Sequence, residues 1–304
     1  MKKIALDNLE FFRGCVAPGL RMNEKLLNFY NDSEVRVIRA KAASAVRIAF
    51  VTDAVEMEYS IVCGPAARLV FTSDVTINGE NTIVEGNGPH KFTMAPGEKE
   101  IVIQLPHLVV INEMSVSLND EAFVKNAPRP AKKLLFCGDS IMQGMTCTAP
   151  SKAVGVLLCE KLGMELHNTS VGGAEMRPEA VEATLDIGGD AIVVGFGIND
   201  TFHKVPHDLF RERTAKVLQL ISDFSGKAFI VVPIPNMKVE DELYNSYCQI
   251  IRDEQKKFPG VTLIEGSSFY PHKEEYFVDG THPNDEGMKI YADALEKILA
   301  PVLK

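Results

Sequence analysis

Apolar residues recur along this chain with two different periods. From residue 35 to 120 they come in short runs that suit strands: "VRVIRA" (35–40), "VRIAFVTD" (46–53), "MEYSIVCG" (57–64), "GEKEIVIQLP" (97–106) and "HLVVINEMSVSL" (107–118). In "VTINGENTIV" (75–84) Asn78-Gly79 stands between two β-prone runs, a pair of residues that suits the tight turn of a hairpin. No helical run interrupts the series. Many short strands with regular turns predict an all-β sandwich of jelly-roll type.

The period changes after "KNAPRPAKK" (125–133), where two prolines and three lysines read as a stiff, solvated linker. Beyond it lie five continuous apolar runs without alternation: "KLLFCG", "ELHNTSV", "DAIVVGFG", "KAFIVVPI" and "VTLIEGS". Strands buried on both faces read this way. Between them and after the last stand stretches with apolar positions at helical spacing, such as "HDLFRERTAKVLQLISDF" (207–224) and "PNDEGMKIYADALEKILAPVL" (283–303). This β-then-α order predicts a five-stranded parallel sheet covered by helices on both sides. The expected division is a β-sandwich over residues 1–127 and an α/β unit over 128–304.

Composition adds little to that division. Of 304 residues, 46% are hydrophobic and 24% charged, as in ordinary globular proteins. The net charge of −9 argues against a nucleic-acid surface, which needs a basic stripe. No stretch approaches a transmembrane helix, and Asp7, Asn8, Glu10 and Arg13 interrupt the apolar run that a signal peptide needs. A cytoplasmic protein with no membrane partner is expected. The six cysteines (15, 63, 137, 147, 159, 248) form no CxxC pair and read as reduced structural thiols.

Ligands of parallel sheets bind beyond the carboxyl ends of the strands, so the chemistry is sought there. Gly138-Asp139-Ser140 follows the first parallel strand, "NTSVGGAE" (168–175) the second, "GFGIND" (195–200) the third, and "VDGTHPNDEG" (278–287) the fifth. Ser140 is either the cap of the next helix or a nucleophile. The second role needs a base. His282 is the candidate, and Asp279, three residues earlier, is near enough on a tight turn to fix its tautomer. An oxyanion needs donors: the Ser140 N–H, an N–H of the glycine pair, and the Asn199 side-chain amide, which is uncharged. Asn168, five residues before Gly173, favours Gly173 over Gly172.

"GDSIMQG", the Asn168–Gly173 stretch, "GIND" and "DGTH" follow the order and rough spacing of the SGNH (GDSL-type) hydrolases, which residues 132–304 resemble. Ile141 stands where that family's name has leucine. The resemblance implies a flavodoxin-like three-layer α/β/α fold and a serine esterase chemistry. Ser140, Asp279 and His282 then resemble the catalytic set, and Ser140, Gly173 and Asn199 the oxyanion hole. The first half is similar in architecture to the β-sandwich domains that precede SGNH domains in some carbohydrate esterases and a few acyltransferases.

The expected substrate is a short-chain, acetyl-like ester of a small molecule or glycan. Transfer of the acyl group to an alcohol acceptor is the alternative within this chemistry, and carbohydrate binding on an incidental hydrolase scaffold is the alternative outside it. Met142, Phe202 and His203 are candidates for the substrate pocket. His203 and His207 stand at i and i+4, but Pro206 lies between them and no third ligand is evident, so neither metal nor cofactor is expected. His90 and His107 read as surface-loop residues. The sequence leaves the oligomeric state open.

Overall fold

The structure, a computed structural model, describes residues 1–303; Lys304, the last residue of the expected second unit, lies outside the described residues. The first half runs β1 (Lys2–Lys3), β2 (Phe12–Arg13), α1 (Glu24–Phe29), α2 (Glu34–Lys41), β3 (Arg47–Thr52), β4 (Glu56–Ala66), β5 (Thr72–Ile77), β6 (Glu80–Glu85), β7 (His90–Thr93), β8 (Lys99–Gln104), β9 (Val109–Leu118) and β10 (Val124–Asn126). Two antiparallel sheets result. One has the order β1-β9-β4-β7, and the other β10-β3-β8-β5-β6 with β2 added beside β3. Their facing sides meet in one apolar core that includes Ile48 and Phe50 from one sheet and Tyr59, Ile61 and Val116 from the other. The β5–β6 hairpin turns at Asn78 (φ 48°) and Gly79 (φ 87°), both left-handed, as a two-residue turn of this kind requires.

The second half runs β11 (Lys133–Gly138), α3 (Ser140–Gln143), α4 (Val154–Leu162), β12 (Glu165–Asn168), α5 (Pro178–Leu185), β13 (Ala191–Gly195), α6 (Ile198–Phe202), α7 (His207–Ser222), β14 (Lys227–Val232), α8 (Asp241–Gln255), β15 (Val261–Glu265), α9 (Gly266–Phe269) and α10 (Asp285–Leu303). The five strands are parallel in the order β12-β11-β13-β14-β15, the flavodoxin-like arrangement. Residues 134–138 of β11 and all of β13 are buried, which is why neither strand alternates in sequence.

The segment between β2 and β3 departs from the expected reading. "VRVIRA" forms helix α2, not a strand. Six residues are too few to separate a period of two from one of 3.6, and the flanks decide. The Ser33 side chain accepts from the Arg36 N–H, Glu34 stands in the first turn, and Arg39 and Lys41 stand in the last, the charge order that complements a helix dipole. Val35, an apolar position of the supposed strand, is exposed.

Helix α1 packs against α5, and Met22, Leu26, Tyr30 and Ala40 belong to the apolar core around the parallel sheet rather than to the sandwich core. Lys25 pairs with Asp186 at 2.6 Å, and Asn23 donates to the Ala183 carbonyl at 2.7 Å. The Arg21 guanidinium, fully buried, donates to the carbonyls of Ala42, Asn168 and Arg39 at 2.7 Å each. An N-terminal segment thus completes the α/β half.

Candidate active site

At the end of β11 the chain must turn sharply beneath β13. A Cβ on Gly138 would lie 2.4 Å from the Gly195 carbonyl oxygen, so only glycine fits there. Asp139 then caps α3, its Oδ1 accepting from the Ile141 N–H at 2.9 Å. Burial pushes the Asp139 carboxyl up to about 7, against the opposing N–H groups of Ile141 and Met142. The cap falls to Asp139, not Ser140. Ser140 is the first helical residue, and its N–H has no intrahelical acceptor at that position.

The "DGTH" loop carries the partners of Ser140. Asp279 Oδ1 accepts from the N–H groups of Thr281 (3.0 Å) and His282 (2.9 Å), while Gly280 adopts φ 77° between them. The loop is pinned from outside by Met237 N–H to the Gly280 carbonyl at 2.8 Å and by Asn236 Nδ2 to Thr281 Oγ1 at 3.1 Å. His282 Nδ1 lies 2.8 Å from Asp279 Oδ2, and His282 Nε2 lies 2.8 Å from Ser140 Oγ. Burial would raise the Asp279 pKa, but the His282 N–H, the His282 ring and the Thr281 N–H outweigh it and hold the carboxyl at about 2. An ionised carboxylate only accepts, so Nδ1 carries the ring proton and Nε2 offers its lone pair to the Ser140 hydroxyl.

The two glycines differ in their hydrogen bonds. Gly172 N–H donates to Gln143 Oε1 at 2.8 Å and is occupied. Gly173 adopts φ 79°, and its N–H has no acceptor among the described residues. Asn168 orders this loop, donating to the Met142 carbonyl and accepting from the Ser170 N–H, both at 2.9 Å. Asn199 Nδ2 donates to the Ala174 carbonyl at 2.9 Å, and Val171 N–H donates to the Gly138 carbonyl at 2.9 Å. These bonds tie the second and third loops to the strand end that carries Ser140.

The expected pocket residues are placed differently from one another. Met142, 1% exposed, lies in the core. Its side chain closes over Gly138 and Gly195 and lines a cavity of about 20 Å³ with Phe196, Ile198 and Tyr291. The α3 turn directs it under the loop, away from the solvent side. Phe202 ends α6 and is 40% exposed. His203 follows it, exposed, with Nδ1 2.8 Å from Glu175 Oε1. His207 instead faces Ser246 Oγ at 3.0 Å. Among the described residues, no group of three His, Cys, Asp or Glu side chains could hold a metal ion, and no helix is long and apolar enough to cross a membrane.

His107 is buried, contrary to the surface position expected for it. Its Nε2 lies 3.0 Å from the Gly144 carbonyl, so that nitrogen carries the proton, and burial pushes its pKa down to about 4. The β8–β9 loop thereby braces the end of α3. Three further contributors escaped the sequence reading. Gln143, fully buried, joins the Gly172 N–H, the Arg39 carbonyl (2.9 Å) and Ser44 Oγ (3.1 Å). Asp200, buried, accepts from the Met176 N–H at 2.9 Å, and burial raises its carboxyl to about 6. Arg39 contacts the Gly172 carbonyl from α2. Gln143 lies within "GDSIMQG", but no local pattern marks it as the acceptor of the Gly172 N–H, which a loop 29 positions away supplies.

The family model of the GDSL-like lipases/acylhydrolases matches residues 136–290, from β11 through the "DGTH" loop. The chain belongs to the GDSL-like lipase/acylhydrolase family. It is an ester hydrolase of the SGNH superfamily with an additional N-terminal unit. Among curated proteins, none matches in sequence. Among solved structures, the chain is similar to SsfX3, a salicylyl-acyltransferase from a tetracycline biosynthetic pathway (19% identity, TM-score 0.77, 96% of this chain and 95% of that one). It is also similar to a protein assigned as a GDSL-like lipase from Bacteroides ovatus (17%, 0.76, 91% and 90%). A third is a carbohydrate esterase family 2 enzyme with a carbohydrate-binding domain from Corynascus thermopiles (Myceliophthora fergusii) (16%, 0.67, 84% and 93%). At these identities the likeness concerns the fold.

Proposed function

We propose that this GDSL-family hydrolase removes a short acyl group, such as acetyl, from a hydroxylated small molecule or carbohydrate through a Ser140-His282-Asp279 triad. The observation that carries the reading is the unbroken hydrogen-bond chain from Ser140 Oγ to His282 Nε2 and from His282 Nδ1 to Asp279, each step 2.8 Å. Ser140 Oγ attacks the ester carbonyl as its proton passes to His282 Nε2. The Asp279 carboxylate stabilises the imidazolium. The Ser140 and Gly173 N–H groups and the Asn199 amide receive the oxyanion. His282 then protonates the leaving alcohol, and water, deprotonated by the same nitrogen, releases the acid.

An alcohol in place of that water makes the same intermediate a source of acyl transfer. The full-length likeness to SsfX3 supports testing both outcomes. Hydrolysis of p-nitrophenyl acetate, with and without acceptor alcohols, separates them by product. Ser140→Ala is expected to lower turnover by at least ~10⁴-fold with the melting temperature preserved. Wild-type turnover in that variant refutes the mechanism.

A further inference from the structure

Arg39 has a charge without a partner beside the loop that carries Gly173. Its Nη1 donates to the Gly172 carbonyl at 2.9 Å and lies 2.9 Å from the point a Cβ on Gly173 would occupy. Its Nε is enclosed and has no hydrogen-bond partner. Among the described residues, no carboxylate pairs with Arg39. The neighbouring cations differ in this respect: Arg36 pairs with Asp32, and Arg177 and Arg213 share Glu175. Arg68, exposed, bonds only the Ala67 carbonyl.

A half-buried guanidinium is costly unless it is paired and hydrogen-bonded. Here the protein supplies one carbonyl and adds two like charges. Burial first, and then Arg68 and Arg36, lower the Arg39 pKa, the signature of a cation that lacks a counter-charge. The missing partner is not in the chain, although the chain carries a net charge of −9. Among the described residues Nη2 makes no hydrogen bond, and it, rather than the enclosed Nε, is the donor left to meet a carboxylate. Arg36, one turn before Arg39, lines a separate cleft of about 120 Å³ that its own partner Asp32 and the Arg177 partner Glu175 also line, so the carboxylates nearby are already committed to other arginines.

We propose that the ester processed here carries a carboxylate close to the scissile bond, and that Arg39 binds it. This rests on the reading that Ser140 and Gly173 receive the ester carbonyl. The carboxylate can sit on the acyl side or on the alcohol side of that bond. Two substrate pairs distinguish them: monomethyl succinate against dimethyl succinate, and O-acetyl-lactate against its methyl ester.

Binding of each ester to full-length Ser140→Ala is measured by calorimetry, so that affinity is read without turnover. The charged member of one pair is expected to bind ~10–100-fold more tightly than the neutral member, the scale of charge-assisted hydrogen bonds. Adding Arg39→Met should bring the charged-to-neutral affinity ratio down to about one, whatever the neutral ester's own affinity becomes, and Arg39→Lys should restore part of the preference.

Equal binding of charged and neutral esters overturns the proposal. So does Arg39→Met weakening both members alike, which marks a purely structural arginine. Inorganic phosphate displacing the bound ester better than succinate overturns the choice of a carboxylate. If Arg39→Met fails to fold, the charged-to-neutral ratio of Arg39→Lys decides, and an unchanged ratio overturns it. Undiminished turnover of dimethyl succinate by Ser140→Ala refutes the triad reading, whereas the affinity ratios judge Arg39 separately.

Discussion

The two antiparallel sheets and the parallel sheet solve burial in opposite ways. In the first half, β4 shows buried and partly exposed residues in turn from Glu56 to Ile61, because one face meets the opposite sheet and the other meets solvent. In the second, β11 and β13 are enclosed on both faces. Met22, Leu26 and Tyr30, on and around α1, belong to the first half by position and to the second by packing. The lesson is that sheet type is readable from periodicity, whereas the core a short helix joins is not.

Substitutions at that junction test the comparison, and Leu26→Ala is expected to have the largest effect on stability. Leu26 is fully buried in the core of the parallel sheet, and truncation should cost about 2–5 kcal/mol. Thermal unfolding followed by signals from both halves would show the loss in the α/β half. A loss confined to the sandwich would place α1 with the wrong core.

Asn199→Ala draws the opposite contrast, between rate and stability. Loss of one oxyanion donor should lower kcat about 10²–10³-fold, measured with p-nitrophenyl acetate, while stability falls only by the lost bond to the Ala174 carbonyl, about 1 kcal/mol. A variant with unchanged kcat would remove Asn199 from the mechanism.

Gln143→Leu sits between these two. It leaves the Gly172 N–H without the acceptor now at 2.8 Å, at a cost of about 1–3 kcal/mol. Both unfolding and turnover should report it, because the same side chain holds α2 against the glycine loop. A change in turnover with no change in stability would contradict this bracing role.

A further contrast is a pH dependence at Asp139. Its folded pKa of about 7 lies above the unfolded carboxyl value of roughly 4. The stability it contributes is therefore complete below about pH 4 and is lost as pH rises through about 7. Asp139→Asn keeps an acceptor for the Ile141 N–H and does not ionise. Its melting temperature relative to wild type should rise between pH 5 and pH 8, and a constant difference would show that the carboxyl is ionised throughout.

Much of the fold was legible because it rests on repeated local signals. Four of the five parallel strands lie within apolar runs, β12 (Glu165–Asn168) being the polar exception, and Asn78-Gly79 turns a hairpin. Helix α2 was misread because six residues carry either period, and the decisive Ser33 cap lies outside the run. His107 looked like a loop residue, and it is one. Its loop, however, is covered by the α/β half, a contact between segments 37 positions apart that no local pattern encodes.

The sequence by itself determined the strand ends and the residue types that stand on them: Ser140 after the first parallel strand, Asn199 after the third, and Asp279 three residues before His282. These follow from short-range chemistry, in which apolar runs end at glycine and polar turns begin. Tertiary structure decided the rest. The sheet order brings the "DGTH" loop within 2.8 Å of Ser140 across 142 positions. Gln143 occupies the Gly172 N–H and leaves that of Gly173 open. Helix α2 carries Arg39 to the same loop, 133 positions from Gly172. Such relations depend on how separate segments pack, and packing is a property of the whole chain rather than of any window within it.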